Sequence, residues 1–284
     1  MLICSDIPNL RQSIQAWKAA GDRIAFVPTM GNLHAGHLQL VQSAWAQSNR
    51  VVVSIFVNPL QFNEAADFNA YPRTLDDDAQ LLRSVNADLL FIPDVQQMYP
   101  QGQVRNTKVI VPDLSELLEG EHRPGHFTGV TTVVAKLFNM VRPDSAWFGE
   151  KDFQQLMLIR RMAADLDLPL DIYSVPTVRE PDGLAMSSRN GRLSADERRL
   201  APLIYQCLCT LRDQILQGER PYAILEQQSL VALNKSGFRV EYLTVRREAD
   251  LMPAGVGDVS LVLLVAAWLG KTRLIDNIPL TLNP

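Results

Sequence analysis

Short apolar, β-branched runs alternate with amphipathic segments through roughly the first 175 residues of the chain. Six such runs predict strands: RIAFVPT, VVVSIFVN, DLLFIP, TKVIV, DSAWFG and LDIYSV. Helical spacing of apolar residues predicts helices over 38–47, 75–85, 131–141 and 153–165. Strands that lack polar alternation are buried on both faces, so the pattern predicts an α/β fold with a mostly parallel, doubly wound sheet. Such sheets bind ligands beyond the carboxyl ends of their strands.

The pattern changes after Pro176. Residues 194–216 read as one helix, with Ser194 as its N-cap and Glu197 placed to complete a capping box. A second helix is predicted around 221–236, followed by the apolar runs VEYLTV and VSLVLLVAAWL. We therefore predict two domains, residues 1–176 and a smaller α+β domain over residues 177–284.

Composition narrows the classes of function. An apolar share of 47% and a charged share of 20% describe an ordinary folded protein. The net charge of −4 gives no general attraction to nucleic acid. The longest apolar run, LVLLVAAWLG, is far shorter than the roughly 20 residues that span a bilayer. The N-terminus lacks the basic region of a signal peptide. The three cysteines match neither a disulfide framework nor a zinc pattern, so we expect a cytoplasmic protein without a membrane partner.

The stretch PTMGNLHAGH lies between a predicted strand and a predicted helix. Gly31 and Gly36 would let the backbone approach a ligand, and the helix start would offer N–H groups to an anion. His34 and His37 are three residues apart, so their rings can point the same way. The alternative is a tight turn with two surface histidines. A metal site that also uses a second pair, His122 and His126, has no cysteine or carboxylate at a matching spacing.

Two further polar clusters follow predicted strands. VNPLQF places the neutral amides of Asn58 and Gln61 at the end of a buried strand, where ligands bind. GEKDFQQL places residues 149–152 at the end of another strand and then begins a helix that carries Gln154 and Gln155. The alternative for the second cluster is a capped helix with solvated charges.

Two loops carry cationic groups beside glycines. EGEHRPGHFTGV brings Arg123 and His126 in front of an apolar helix. GLAMSSRNGRL is a polar loop between Gly183 and Gly191 that contains residues 187–189, two serines and an arginine. Hydroxyl and guanidinium groups of this kind can bind phosphate oxygens when a mobile loop closes. The alternative is a simple linker.

In this order, HAGH, GEKD followed by QQ, and SSRN resemble the pantothenate synthetase family, the pantoate–β-alanine ligases. VNPLQF, YPRT, LLEGEHRPGHFTGV and LLVAAWLGKTRLIDN resemble the same family, so the resemblance covers nearly the whole chain. HAGH is also similar to the HIGH signature of the wider nucleotidyltransferase superfamily, and MSSR to its KMSKS loop. Departures from the pattern are few: Met186 replaces an expected leucine, and Trp147 stands where smaller residues are common.

The resemblance implies a Rossmann-like domain that binds nucleotide and pantoate over residues 1–176, and a lid domain over 177–284. It implies ATP-dependent ligation of (R)-pantoate and β-alanine to pantothenate through pantoyl-adenylate, with release of AMP and pyrophosphate. ATP is then a substrate, Mg²⁺ accompanies it, and the enzyme is a cytoplasmic homodimer.

The resemblance also assigns residues. His37, His34, Lys151 and Arg189 are the implied catalytic residues, and Gln61 and Gln155 are implied to bind pantoate, with Gln61 also meeting β-alanine. The implied ATP-binding residues are Met30, Gly31, Asn32, Leu33, His34, Ala35, Gly36, His37, Gly149, Glu150, Lys151, Asp152, Val178, Met186, Ser187, Ser188 and Arg189. No protein ligand of the magnesium is assigned. Asp77 and Asp78 are possible outer partners of the ion, although a solvated helix face is the expected environment for both.

Three other functions remain open at this stage. Another nucleotidyltransferase of the same superfamily would leave the nucleotide on the product. A fragment of a class I aminoacyl-tRNA synthetase would need a tRNA-binding surface, for which the acidic balance offers little. A non-catalytic nucleotide-binding module is disfavoured because His37, Lys151 and Arg189 are all present.

Overall fold

The computed structural model describes residues 1–63 and 65–282, and the chain divides into two compact units. The first unit comprises Met1–Glu150 and Gln154–Pro176, and the second comprises Lys151–Phe153 and Thr177–Pro284. Residues 283 and 284, the end of the predicted second domain, lie outside the described residues.

The first unit is built on a six-stranded parallel sheet in the order β1-β4-β3-β2-β5-β6. Its strands are β1 (Leu2–Cys4), β2 (Ile24–Thr29), β3 (Arg50–Ile55), β4 (Leu89–Phe91), β5 (Ser145–Gly149) and β6 (Asp171–Val175). Its helices are α1 (Ile7–Ala19), α2 (Ala35–Trp45), α3 (Ala65–Asn69), α4 (Leu75–Ser84), α5 (Val95–Met98), α6 (Glu119–His122), α7 (His126–Val141) and α8 (Phe153–Asp165). The predicted parallel α/β fold is confirmed.

The sheet carries apolar side chains on both faces. Phe26 and Val52 belong to one buried cluster, and Val27 and Val53, which point the opposite way, belong to another. Burial of each such side chain stabilises the fold by about 1.5–3 kcal/mol. The strand order reverses at β2, which lies between β3 and β5. Loops after β2 therefore occupy the position where doubly wound sheets bind ligands.

One expectation for this unit needs correction. TKVIV, residues 107–111, was predicted as a strand but forms no regular structure. The backbone of Val109 instead bonds to side chains of α7, with its N–H donating to Thr132 Oγ1 and its carbonyl accepting from Thr131 Oγ1. Its hydrogen-bonding groups are thus satisfied without a neighbouring strand. The short strand β1 and the helix α1 were not predicted.

The second unit contains an antiparallel sheet, β7 (Phe238–Arg247), β8 (Ser260–Leu269) and β9 (Thr272–Thr281), with β8 in the middle. Its helices are α9 (Ala195–Leu200), α10 (Leu203–Leu216) and α11 (Tyr222–Lys235). The capping box of Ser194 and Glu197 is confirmed. The single helix predicted over 194–216 is wrong, because the chain breaks at Pro202, which has no N–H to continue the helix.

The three cysteines are free thiols that pack against the two cores. Burial raises the pKa of Cys4 to about 11, and burial also raises the pKa of Cys207. Both side chains therefore remain protonated and unreactive near neutral pH. Across the described part of the chain, no helix combines the length and apolar character needed to cross a membrane.

Candidate active site

The segment Met30–His37 connects the carboxyl end of β2 to α2, at the reversal of the strand order. Gly31 has a φ of +80°, and a Cβ atom there would lie 3.0 Å from Asp78 Oδ2. Glycine is needed at this position for both reasons. Asn32 follows with a φ of 51°, a conformation that asparagine tolerates better than most residues. The backbone thus turns sharply between the strand and the helix.

Asp78, in the first turn of α4, holds this turn in place. Asn32 N–H donates to its Oδ2 at 2.9 Å, and Leu33 N–H donates to its Oδ1 at 2.7 Å. Thr74 Oγ1 donates to the same Oδ2 at 3.3 Å. Asp78 is only 1% exposed, so the expected solvated environment is wrong for this residue, whereas Asp77 is exposed. Hydrogen bonds to a buried carboxylate are among the stronger ones in proteins.

Asp78→Asn should distort the turn while leaving the rest of the unit folded. The amide has one acceptor oxygen where two N–H groups must be met, so we expect the free energy of unfolding to fall by about 1.5–3 kcal/mol. Displacement of the turn by about 1 Å should slow, by about 10²-fold, the adenylate formation that the family resemblance implies. Pyrophosphate release and thermal unfolding measure the two effects. Asp76→Asn, an exposed carboxylate of the same helical turn, is the control; equal rates in the two variants would contradict the assignment.

The two histidines of HAGH lie side by side at the start of α2, as their spacing predicts. Their ring centroids are 4.1 Å apart. Gly36 N–H donates to His34 Nδ1 at 3.2 Å, and His34 N–H donates to His37 Nδ1 at 3.4 Å. Because a backbone N–H can only donate, each Nδ1 is the unprotonated nitrogen, and each neutral ring carries its proton on Nε2. Two imidazole N–H groups at a helix N-terminus suit a site where negative charge develops.

Gln61 ends a short 3₁₀ turn that follows β3 and packs against α7. A Cβ atom on Gly129 of α7 would lie 2.4 Å from the carbonyl oxygen of Leu60, so the close approach requires glycine. This approach lets Asn58 Nδ2 donate to Gly129 O at 3.1 Å. Gln61 is 9% exposed and Asn58 is 1% exposed, so both amides are buried in the first unit.

The hydrogen bonds of Asn58 determine which way the Gln61 amide faces. Leu60 N–H donates to Asn58 Oδ1 at 3.3 Å, and Tyr99 OH donates to the same oxygen at 2.7 Å. Asn58 Nδ2 donates to Gln61 Oε1 at 3.1 Å, so the oxygen of Gln61 is engaged within the protein. The Gln61 NH₂ group is the donor side of the amide, and it donates to Met30 Sδ at 2.9 Å. The sequence analysis did not identify Tyr99, whose role becomes visible only through its buried hydrogen bond to Asn58.

His126 and Arg123 support the same turn from its main-chain side. His126 Nδ1 donates to Gln61 O at 2.8 Å, since a carbonyl oxygen can only accept. Its Nε2 then accepts from Arg123 Nη1 at 3.2 Å, and Arg123 Nη2 donates to Gln61 O at 3.3 Å. Both ring nitrogens of His126 are therefore used by the scaffold. Among residues 1–63 and 65–282, no three His, Cys, Asp or Glu side chains are grouped to hold a metal ion.

The GEKD cluster, residues 149–152, lies at the end of β5, as predicted, and its side chains make different contacts. Glu150 Oε1 accepts from Ser174 Oγ at 2.8 Å in the first unit. Lys151 Nζ lies 3.8 Å from Asp152 Oδ1 in the second unit. Gln154 is buried, with its Nε2 donating to Leu114 O and Leu117 O, so it belongs to the scaffold. Gln155, its neighbour, is half-buried.

The loop that contains Met186–Arg189 is ordered by its own hydrogen bonds within the second unit. Met186 N–H donates to Val178 O at 2.9 Å, which makes Val178 and Met186 opposite members of a small hairpin. Arg189 N–H donates to Ser187 Oγ at 3.2 Å, and Asn190 Nδ2 donates to Ala185 O at 3.0 Å. The expected ATP-binding residues 178 and 186–189 are thus brought together locally.

The whole chain resembles one family of enzymes. The family model for pantoate-beta-alanine ligase matches residues 2–279. The pantothenate synthetase of Thioalkalivibrio sulfidiphilus is 55% identical over 97% of this chain and 96% of its own length. The pantothenate synthetase of Chromohalobacter salexigens is 53% identical over 99% of both chains.

Solved structures give the same result. The pantothenate synthetase of Thermus thermophilus superposes with a TM-score of 0.91 at 44% identity, covering 98% of this chain and 99% of that one. The pantoate-beta-alanine ligase of Francisella tularensis, solved in complex with β-γ ATP and β-alanine, has a TM-score of 0.81 at 33% identity, covering 98% of this chain and 97% of that one. With a paired-histidine turn at the end of β2 and a match over nearly every residue, this chain belongs to the pantoate–β-alanine ligase family.

Proposed function

We propose that this enzyme joins (R)-pantoate to β-alanine in two steps at the expense of ATP. A carboxylate oxygen of pantoate attacks the α-phosphorus, the bond from that phosphorus to the bridging oxygen breaks, and pyrophosphate leaves with the bonding electrons. The amine of β-alanine then attacks the carbonyl carbon of pantoyl-adenylate. AMP leaves, the nitrogen loses a proton, and pantothenate is formed.

One contact carries the proposal beyond family membership. The NH₂ group of Gln61 lies 2.9 Å from the sulfur of Met30, the first residue of the proposed ATP-binding segment. A donor for the acid substrate thus lies directly beside the segment proposed to hold the nucleotide. Attack of a carboxylate on a phosphorus needs this proximity, because orientation supplies much of the rate enhancement in such steps.

The nucleotide is assigned to four segments of the chain. We propose that His37 donates through Nε2 to the phosphates, with His34 beside it, and that Lys151 and Arg189 balance the charge of the departing pyrophosphate. The residues proposed to bind ATP are Met30, Gly31, Asn32, Leu33, His34, Ala35, Gly36 and His37 in the first segment, Gly149, Glu150, Lys151 and Asp152 in the second, Val178, and Met186, Ser187, Ser188 and Arg189. Residues 177–284 then carry the loop that acts as the lid.

Pantoate is assigned to Gln61 and Gln155, and β-alanine to Gln61. The fixed orientation of the Gln61 amide makes it a donor, which suits a carboxylate or hydroxyl oxygen of the substrate. Because the amide is neutral, it does not form an ion pair with the pantoate carboxylate. The carboxylate therefore keeps its reactivity as a nucleophile.

Gln61→Ala and Gln155→Ala should each weaken pantoate binding about tenfold, the equivalent of one lost hydrogen bond to a charged group. ATP binding should change little, because neither amide is assigned to the nucleotide. Calorimetric titration of each ligand gives both affinities. Gln214→Ala removes a half-buried amide from α10, where it donates to Glu219, and is the matched control. Unchanged pantoate affinity in both site variants would refute the assignment.

Magnesium is proposed to enter with ATP, bound by phosphate oxygens and water. Mg²⁺ usually retains several waters and takes few protein ligands when phosphates are available. Both oxygens of Asp78 already accept backbone N–H groups, so this carboxylate does not fit as a direct ligand. We also propose, from family resemblance alone, a homodimer that works in the cytoplasm; analytical ultracentrifugation tests the first of these.

The products of the reaction test the proposed function. ATP and pantoate should give pyrophosphate and enzyme-bound adenylate, and AMP should be released in quantity only after β-alanine is added. A product that keeps the nucleotide would favour another nucleotidyltransferase of the superfamily instead. Chromatography of the nucleotides after incubation with each combination of substrates separates these results.

A further inference from the structure

Two buried polar residues occupy consecutive positions in β9. Asp276 is 2% exposed and Asn277 is 3% exposed. Successive strand residues face opposite sides of a sheet, and Asp276 shares its side with the core residues Leu274 and Ile278. An apolar residue would fill such a position more simply, because a buried carboxylate loses its hydration and must be paired.

Asp276 is paired with Arg179, which also bonds the hairpin that carries Val178 and Met186. Arg179 Nη1 and Nη2 donate to the two carboxylate oxygens at 2.7 and 2.9 Å. Nη1 also donates to Gly183 O at 3.0 Å, and the guanidinium lies 3.6 Å from the ring centroid of Tyr205. Arg179 is itself a hairpin residue, bridged to Ala185. The ion pair therefore ties the Arg179 arm of the hairpin to β9, and the same guanidinium holds the hairpin turn at Gly183.

Asn277 ties a second segment to the same point of β9. Its Nδ2 donates to the main-chain carbonyl of Lys151 at 2.9 Å. Its N–H donates to Asp276 Oδ1 at 2.8 Å, so the two residues are also linked to each other. All of these contacts lie within the second unit. Lys151 and the hairpin residues are far apart in sequence, yet they share one anchor.

We propose that Asp276 and Asn277 are positioning residues for the ATP site: through Arg179 and through the Lys151 carbonyl they hold two phosphate-binding segments in fixed positions relative to each other. The inference rests on the proposed assignment of Lys151 and residues 186–189 to ATP. Neither residue is assigned to a substrate. Their role is to hold Lys151 and Arg189 at positions where both can contact one triphosphate. A small displacement of either segment would weaken these contacts.

Asp276→Asn and Asn277→Ala test the anchor in the full-length enzyme. Each should weaken ATP binding at least about tenfold and slow adenylate formation by up to about 10²-fold. Pantoate affinity should stay within about twofold of the wild type, because loss of an anchor for ATP leaves Gln61 untouched. ATP and pantoate are titrated separately, and adenylate formation is followed in single turnovers.

Glu241→Gln is the matched control. Glu241 on β7 forms an ion pair of 2.7 Å with Arg273 on β9, and both side chains are largely buried. This pair lies in the same sheet, and Glu241 also accepts a hydrogen bond from Trp268 Nε1 of β8. The control should lose stability without a change in ATP affinity. If Glu241→Gln lowers ATP affinity as much as Asp276→Asn, the effect is general destabilisation and the proposal is overturned.

A second variant covers the possibility that Asp276→Asn does not fold. The double replacement Arg179→Met/Asp276→Leu removes the ion pair and leaves no unpaired charge, a change that folded proteins often tolerate. It should fold, and it should bind ATP more weakly than the wild type does, as the single variants should. A folded double variant with wild-type ATP affinity and adenylation rate overturns the proposal. If the wild type does not use pantoate, the proposed function is wrong. The ATP affinities of the wild type and the variants still test the role of Asp276 and Asn277.

Discussion

Replacing His37 with alanine is expected to slow pantoyl-adenylate formation by about 10²–10³-fold in an enzyme that still folds. The His37 ring accepts the His34 N–H through Nδ1, so its Nε2 carries the proton. That proton is a fixed donor for charge that builds on the phosphates in the transition state. Loss of a donor of this kind costs about 2.7–4 kcal/mol of transition-state stabilisation.

The effect on folding should be much smaller. The variant removes the acceptor of one backbone N–H at a helix N-terminus, which costs about 1 kcal/mol. Single-turnover formation of pyrophosphate, compared with the melting temperature, separates the two. His122→Ala, which changes an exposed histidine of α6, is the control. If His37→Ala keeps more than about a tenth of the wild-type rate, the ring is not a phosphate donor.

Arg189→Ala is expected to slow adenylate formation at least about 10²-fold while pantoate affinity stays the same. Arg189 directly follows the two serines of the ordered hairpin loop, and its N–H bonds to Ser187 Oγ. Its guanidinium can contact two phosphate oxygens at once, a geometry that the point charge of lysine does not reproduce. Arg189→Lys should therefore recover only a small part of the rate.

Arg192→Ala offers a comparison within the same loop. Arg192 is exposed and lies in the 3₁₀ turn that ends the loop. It carries the same charge but is not assigned to ATP, so its removal should change the adenylation rate less than about threefold. Adenylate formation at the wild-type rate in Arg189→Ala would mean that residues 186–189 are a linker and not a lid.

Local patterns predicted the parallel sheet well because its strands are buried on both faces. RIAFVPT and VVVSIFVN have no polar alternation, and only a strand covered on both sides tolerates that. TKVIV has the same composition but satisfies its backbone with two threonine side chains of α7. Composition alone cannot distinguish these two solutions. Pro202 indicates a helix break, but the amphipathic pattern continues on both sides of it, so a single helix was predicted.

The geometry of the candidate site was predictable where its contacts are local in sequence. His34 and His37 are one helical turn apart, so their contact follows from spacing. Asp78 was misjudged because its partners, Asn32 and Leu33, lie 46 and 45 positions away. Nothing near Asp78 distinguishes it from the exposed Asp77. Asn58 lies at the end of its strand, as expected, but its hydrogen bonds orient Gln61 within the protein.

The row formed by Tyr99, Asn58 and Gln61 contains no side chain that gains or loses a proton near neutral pH. Burial raises the pKa of Tyr99 further above its ordinary value, so its hydroxyl keeps its hydrogen and its direction. Amide groups do not ionise. Gln61, which is proposed to bind pantoate, is therefore a donor whose strength is constant from mildly acidic to alkaline solution. The pH profile of turnover should therefore reflect groups outside this row, among them those proposed for the nucleotide and the β-alanine amine.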